Sequence, residues 1–409
     1  MMKIQRIEKH LIKASNPYFE MLKDFCFKSK NLYNSANYQI RQKFINENIY
    51  LNYYDMNKLM KTLIPEEGFV NDYKEMPTAQ SAQQCLRLLD KNWKSFFKSI
   101  KEWGKNKEKY QGMPKLPKYK KKSSMNILIL TNFNCKIKEG KIKFPKVFNG
   151  FELNTKVSNL QQVRIIPRND YFIIEVVYNK EVKNLKEDNG KYVSIDLGVN
   201  NLMALTNNCH KEFQLINGRK LKSINQYYNK KNSYYKEIAK RMNNLDNTHR
   251  LDCLTTKRNN LITDLIHKAS KKVIEYTLNC GANTIIMGLN KEWKQNCDMS
   301  KTSNQNFVQI PFSELINKIT YKAEEQGIKV ILVEESYTSG TSFLDNEAPI
   351  KEFYNKARRK FRGLFISNEG KRINSDINGS LQILKKEFPN AFKGHGIEDC
   401  GFNPVKVGL

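Results

Sequence analysis

Four carboxylates stand where their surroundings could turn them to chemistry. Asp196 lies inside an apolar run, VSIDLGVNN. A buried lone acid there is far too costly, so it must be paired or hold a metal. Asp376, in INSDINGS, falls at the expected start of a helix, where an acid can also act as an N-cap or favour the helix dipole. Glu334 and Glu335 end the apolar run KVILV just before YTSGTS, a place where paired glutamates are ordinarily surface residues. Acids brought together from such distant segments can hold two divalent cations about 3.5 to 4 Å apart, which activate water and stabilise the leaving 3′ oxygen of a phosphodiester. All-oxygen donors favour Mg²⁺ or Mn²⁺ over softer ions.

The elements around these acids have an order that could bring them together. From Lys191 onward, YVSIDLG and NLMALT read as strands, with a third near Glu212 to Ile216. Two long polar-rich helices follow, the second over about 255–279 with Leu261, Ile262, Leu265, Ile266, Ala269, Val273 and Ile274 on one side. It leads to a buried strand, NTIIMG, then a helix (PFSELINKITYKAEEQG), the strand KVILVEE and a last helix starting near Asp376. Three strands, helix, strand, helix, strand, helix is the order of the ribonuclease-H-like fold. There the first and fourth strands are neighbours, the fifth flanks the fourth, and the last helix packs across that end. Actin-like kinases share the fold and use an IDLG strand for phosphate, but they need a second glycine-rich loop, and none is evident here.

The N-terminal half reads differently. Residues 1–13 alternate like a strand, and Pro17 opens a helical stretch carrying Phe19, Leu22, Phe25, Cys26, Leu32 and Tyr33. After MPTAQ a second helix, with Thr78 as expected N-cap, carries Ala82, Leu86, Leu89, Trp93, Phe96, Phe97 and Ile100. On its polar side stand Gln80, Ser81 and Gln84, and amides can read base edges where such a face meets nucleic acid. Residues 105–122, KNKEKYQGMPKLPKYKKK, read as an extended basic linker, with Lys115, Lys118, Tyr119, Lys120, Lys121 and Lys122 suited to a phosphate backbone with room for stacking. Residues 126–180 turn to strands, including a Lys/Ile hairpin around Glu139-Gly140 with one basic face. A small β-barrel is expected, joined by the first strand, with the helical block inserted between strands.

Composition narrows the partner. Seventy Lys and Arg against 41 Asp and Glu give a formal charge of +29, while 40% hydrophobic residues still suffice for cores. A surplus of this size points to a polyanion, nucleic acid above membrane, and away from a metabolic enzyme for small anions. The eight cysteines are scattered with no CxxC pair, as in reduced cytosolic chains, and no apolar run is long enough to span a membrane. The expectation is a soluble, cytoplasmic protein.

At YVSIDLGVNN, VEESYTSGTSFLD and NSDINGSLQIL the sequence resembles the TnpB family, transposon-encoded RNA-guided nucleases ancestral to type V CRISPR effectors, and QGMPKLPKYKKK and NQNFVQIPF share that likeness. The resemblance implies a bacterial RNA-guided DNA endonuclease with a RuvC-like nuclease domain. It would use two Mg²⁺ or Mn²⁺ ions, an omega RNA from the transposon end as guide, and a double-stranded DNA target beside a short adjacent motif. The expected fold is an α+β multidomain chain. Its parts are a wedge β-barrel (1–13 and 106–188), an inserted helical recognition lobe (14–105) and an RNase H-like (RuvC) α/β domain (189–409). Asp196 matches the family's first catalytic aspartate and Asp376 the last.

Two departures stand out. Where relatives carry a glutamate in an IVIEDL-like strand end, this chain has IIMGLN, with Gly288 at that point. Glu335, three residues before Thr338-Ser339, is the expected replacement, because a long side chain can span much of the roughly 4.8 Å between neighbouring strands. Glu334 is the alternative, since adjacent strand residues face opposite sides. The second departure is a missing zinc knuckle: residues 340–375 hold neither Cys nor His, so no zinc is expected. A basic loop with Arg358, Arg359, Lys360 and Arg362 stands there instead, expected to grip the DNA strand. Gly288 also motivates a rival of another class, an RNA-guided DNA-binding repressor that has lost its nuclease.

Overall fold

The computed structural model describes residues 2–64, 70–182, 184–290, 301–361, 363–392 and 403–409. Arg362, Cys297 and Cys400 lie outside the described residues. The chain divides into two units, residues 3–181 and a second made of residues 182–409 with the first two residues.

In the first unit the order is β1 (Met2–Lys13), α1 (Phe19–Glu47), α2 (Tyr53–Thr62), α3 (Ala79–Lys105), β2 (Leu128–Thr131), β3 (Lys136–Lys138), β4 (Lys141–Lys143), β5 (Glu152–Asn154), β6 (Leu160–Pro167) and β7 (Tyr171–Val182). One sheet has the order β1-β7-β6-β2 and a second β3-β4-β5. The helices therefore enter the chain between two strands of one sheet, as the alternation of residues 1–13 suggested. Hydrogen bonding gives two open sheets rather than the single closed barrel expected, because the short β3–β5 strands pair only among themselves. A continuous core joins both sheets to the helices through Phe25, Trp93, Leu128, Phe148 and Phe172.

The helix α3 starts at a capping box: the Thr78 hydroxyl accepts from the Ser81 N–H, and the Ser81 hydroxyl accepts from the Thr78 N–H. The β3–β4 hairpin turns at Glu139 and Gly140, both with positive φ (50° and 70°), the conformation a two-residue hairpin loop demands.

The second unit contains β8 (Tyr192–Leu197), β9 (Asn201–Asn207), β10 (Gln214–Asn217), α4 (Arg219–Asn243), α5 (His249–Asn279), β11 (Thr284–Gly288), α6 (Lys301–Val308), α7 (Phe312–Glu325), β12 (Lys329–Val333), β13 (Arg359–Phe361), β14 (Leu364–Ile366), β15 (Arg372–Ile373), α8 (Ser375–Glu387) and β16 (Val405–Val407). Its main sheet runs β12-β11-β8-β9-β10-β16. The strands β12, β11 and β8 are parallel, whereas β9 is antiparallel to β8 and β10. Parallel neighbours need helical crossovers, and α5 and α7 supply them with buried Ile262, Leu265, Ile266, Leu315 and Ile319 on one face of the sheet. The parallel edge strand β16 had no signal in the sequence beyond three short residues.

The helix α8 covers the other face at close range. Ser194 donates to the Ser380 carbonyl at 2.6 Å, and the Thr206 and Ser380 hydroxyls lie 2.9 Å apart. Gly379 is required there: a Cβ would lie 2.8 Å from Asp196 Oδ2.

The stretch read as a basic loop is folded. It forms a three-stranded sheet, β13-β14-β15, whose Phe365 and Ile373 are buried with Ile377 and Leu381 of α8. Apolar residues every few positions among its charges supply that core.

Candidate active site and basic surfaces

Each of the three expected acids is delivered by a separate piece of the second unit. Asp196 sits near the end of the central strand β8, opposite Ala204 of β9. Asp376 is in the first turn of α8. The N-cap there is Asn374, whose side chain accepts from the Asp376 and Ile377 N–H groups at 2.9 and 3.3 Å, so the aspartate is released from the capping role. Glu335 follows β12.

All three line one cavity of about 1060 Å³, together with Asn201, Asn290, Ser339, Tyr354, Arg359 and Lys406 among others. Among the described residues their ligand oxygens do not all lie within 4.8 Å of one another.

Glu335, not Glu334, faces this cavity. Glu334 is turned outward, where it accepts from Lys386 at 2.9 Å and from the Ser336 hydroxyl. Glu335 is clamped from both ends by Asn290: the Asn290 amide donates to Oε1 at 3.3 Å and its Oδ1 accepts from the Glu335 N–H at 3.1 Å. Thr338 anchors the turn by donating to the Glu335 carbonyl at 2.8 Å. The glutamate reaches across to the neighbouring strand and fills the space over Gly288, where a Cβ would meet Glu335 Oε2 at 2.6 Å. The glycine is therefore the complement of the glutamate.

The electrostatics are those of an acidic cluster only partly offset by Arg359 and Lys386. Burial, then the Glu335 and Asp376 carboxylates, hold the Asp196 carboxyl well above the usual carboxylate range, with Arg359 opposing. Burial and then Glu334 push Glu335 up to about 7, against Lys386. Its Oε2 is buried with no hydrogen-bond partner. An orphaned buried carboxylate oxygen among like charges, in an all-oxygen donor set, fits a hard divalent cation. Asp376 is held by Asn201, which donates to Oδ2 at 2.8 Å, and faces Arg359 at 3.6 Å.

A pH dependence follows. Above its ordinary pKa the unfolded glutamate has lost its proton, while the folded one retains it up to about pH 7. The folded state thus binds more protons in that interval, and stability falls as pH rises through it. Thermal melts of the metal-free protein are expected to show a lower Tm at pH 8.5 than at pH 6, and Glu335→Gln should flatten that slope; an equal slope in the variant would refute the assignment.

The remaining expected site residues divide. The segment 115–122 is strapped to α1 by side chains on one helix face. Lys30 donates to the Lys122 carbonyl at 3.1 Å, and Asn34 donates to the Lys120 carbonyl at 2.9 Å while accepting its N–H at 2.8 Å. Asn37 and Arg41 donate to the Pro117 carbonyl at 3.0 and 3.2 Å. It is thus a fixed strap rather than a free linker, because an extended backbone needs partners for its polar groups. Lys115, Lys118, Lys121 and Lys122 are exposed and Lys120 partly so, over the Tyr33 ring. Tyr119 is exposed and covered on one face by Arg41 at 5.0 Å.

Gln80 is exposed and accepts from Asn134 at 3.2 Å, and Gln84 is half-buried. Ser81 does not face solvent: it is buried and its hydroxyl serves the capping box. Arg358 is likewise no free grip, since its guanidinium is shielded and bonded to Glu347 at 2.6 Å. Arg359 lines the carboxylate cavity instead of a strand-gripping loop, and Lys360 is exposed. Sequence reasoning missed Asn290, Asn201 and Asn374; only Asn374 stands near its acid in sequence, while Asn290 is 45 and Asn201 175 residues from the carboxylate each holds. Among the described residues no helix is long and apolar enough to cross a membrane.

Comparison with known proteins now bears on this architecture. Residues 175–294 match the family model OrfB_IS605, described as a probable transposase, and residues 312–383 match the Cas12f1-like TNB domain. The chain is 24% identical over 406 residues to the TnpB-like protein ORF457 of Acidianus two-tailed virus, covering 88% of this chain and 81% of that protein. It is 25% identical over 283 residues to a CRISPR-associated endodeoxyribonuclease, Cas12f2, of Micrarchaeota archaeon, covering 65% of this chain and 49% of that one. A cryo-EM structure of a Cas12f1–sgRNA–target DNA complex shares the fold, with a TM-score of 0.53 at 15% identity over 89% of this chain and 82% of that one. The architecture is that of a mixed α/β multidomain protein resembling Cas12f effectors. Two consecutive family models, a viral TnpB-like relative aligned over most of both chains and a shared fold agree with the motifs at the three acids: the chain is similar to the TnpB family over most of its length.

Proposed function

We propose that this protein is an RNA-guided DNA endonuclease, with residues 189–409 as its RuvC-like, ribonuclease-H-like nuclease domain. The observation that carries this reading is the meeting of Asp196, Glu335 and Asp376 in one cavity, with a buried glutamate oxygen left unpartnered. The strand order, three antiparallel strands continued by two parallel ones on the side of the first, supports the ribonuclease-H-like assignment.

Asp196, Glu335 and Asp376 would hold two Mg²⁺ or Mn²⁺ ions, which when bound would activate a water and stabilise the leaving 3′ oxygen of the DNA. The chain's own groups set the stage. Asn290 fixes Glu335 and Asn201 fixes Asp376, so neither carboxylate must be ordered at the moment of reaction. Arg359 tempers the negative charge that would otherwise repel the DNA phosphate.

Residues 1–13 and 106–188 serve as the wedge and 14–105 as the recognition lobe. The strap 115–122 holds nucleic-acid backbone, and Gln80 and Gln84 read the adjacent motif of the double-stranded target. The guide is an omega RNA. The repressor reading loses its motive, because the carboxylate absent at Gly288 is supplied by Glu335 at the same place.

The test is reconstitution with the RNA that copurifies. With Mg²⁺ present, DNA matching the guide beside a randomised flank should be cut, and mismatched DNA should not. Binding of matched DNA without cleavage would restore the repressor reading.

A further inference from the structure

At the end of the main sheet away from Asp196, two thiols from distant parts of the chain meet. Cys209 follows β9 in the turn to β10, and Cys280 closes α5 shortly before β11. The strand β8 lies between β9 and β11, and both approaches converge on its first residue, Tyr192. The Asn208 N–H donates to the Tyr192 carbonyl at 3.4 Å, and Thr284 of β11 stands opposite Tyr192. The side chains of Cys209 and Cys280 are in hydrogen-bond contact, and both are free thiols.

Anchored backbone presents each sulfur. The Asn207 side chain accepts from the Cys209 N–H at 2.7 Å and donates to the Tyr276 hydroxyl at 2.6 Å. Tyr276 in turn donates to the Glu212 carbonyl at 3.0 Å, so the last turn of α5 is tied to both ends of the β9–β10 connection. Past Cys280 the chain reverses at Gly281 (φ 63°), and the Ala282 N–H returns to the Thr277 carbonyl at 3.1 Å.

The two thiols are unequal. The hydrogen bond from Cys280 lowers Cys209 to about 7, with the Lys191 ammonium helping against burial. The same bond and burial push Cys280 up. Cys209 is half-buried and Cys280 buried, so an oxidant arriving from solution meets Cys209 first. Burial pushes Cys26, Cys85 and Cys135 up to about 12, which leaves those thiols inert.

We infer that Cys209 and Cys280 form an oxidation site, which a hydroperoxide converts to a reversible disulfide clamping the β9–β10 turn to the end of α5. The Cys209 thiolate attacks a peroxide oxygen, the O–O bond breaks, and the departing hydroxide takes up a proton to become water. The Cys280 thiol then attacks the sulfenic sulfur. The S–S bond forms, the S–O bond breaks, and the thiol proton leaves with the hydroxide as a second water. Two thiols together lose two electrons, which the peroxide gains. A dithiol reductant reverses the step by exchange. The site does not rest on the nuclease reading, because it lies at the other end of β8 from Asp196.

The experiment exposes the reduced full-length protein to hydrogen peroxide, blocks free thiols with N-ethylmaleimide and digests it without reductant. Mass spectrometry should find the peptides of Cys209 and Cys280 joined and lighter by two hydrogens. The rate should rise about tenfold from pH 6 to pH 8 and then level off, as a thiolate forming near pH 7 requires. The oxidised protein should melt about 5 °C or more above the reduced one, an increase that dithiothreitol cancels, since the bridge closes a long loop. In Cys280→Ala the same treatment should leave a sulfenic acid on Cys209 that dimedone traps, and Cys209→Ser should leave Cys280 unlinked. Oxidation confined to the exposed Cys253, appearing as links between molecules, would overturn the site. A joined pair without any gain in Tm would overturn the clamp, and a rate still climbing at pH 9.5 would remove Cys209 as the attacking group.

Discussion

Asp196→Asn is expected to abolish guided cleavage while leaving RNA and target binding in place. The carboxyl is the central member of the cluster, raised above the usual carboxylate range by burial first and then by the Glu335 and Asp376 carboxylates. Removing a carboxylate that would hold both ions should cost several kcal/mol of transition-state stabilisation, a fall of about 10³-fold or more. The same substitution is expected to raise the Tm of the metal-free protein. Burial and its two acidic neighbours make ionisation of this carboxyl costly, whereas an amide of the same shape has no proton to lose. Loss of activity with gain of stability marks a residue kept for chemistry. Retained cleavage would remove Asp196 from the site, and a lower Tm would show that its charge is compensated.

Gly288→Ala is the second large effect. The added methyl would stand 2.6 Å from both Glu335 Oε2 and Ile383 Cδ1, closer than real contacts allow. Overpacking of this kind costs about 1 to 3 kcal/mol, and a reacting group displaced by about 1 Å loses about 10²-fold in rate. Cleavage should fall by that order while nucleic-acid binding holds. In a Glu335→Ala background the same substitution should cost little further activity, although the clash with Ile383 keeps a share of the stability cost. Additive losses in the two backgrounds would separate Gly288 from the glutamate and break the argument that one complements the other.

The likeness to solved effectors carries the fold, and the finer chemistry rests on these side chains. Asparagines do much of the holding: Asn290 at Glu335, Asn201 at Asp376, Asn374 at the helix start. An amide can donate and accept at once, so it fixes a carboxylate without neutralising it, whereas a lysine in the same place would compete with the cation. These residues escaped sequence reading because nothing in spacing distinguishes a positioning asparagine from one in a turn.

Much of the architecture was legible in one dimension. Apolar runs of five or six residues with Asp196 embedded, the helical stripes of α5 and α7, and the Thr78 cap all act over a few residues, and local rules read them. Strand order followed because parallel neighbours require helical crossovers. What spacing could not decide was everything settled by partners far along the chain. Ser81 had the type and the helix position of a solvent-facing reader, yet its hydroxyl closes a cap. Arg358 looked like its neighbours in a basic stretch, but Glu347 claims it, and Arg359 is turned into the cavity. The lysine strap read as a tether until α1 supplied partners for its backbone. The charge count and the two aspartates as candidates came from composition and pattern alone. Which glutamate joins them depended on the face each presents beside Gly288, and a strand's face is set by the neighbours it packs against, a property of the folded sheet and not of the string.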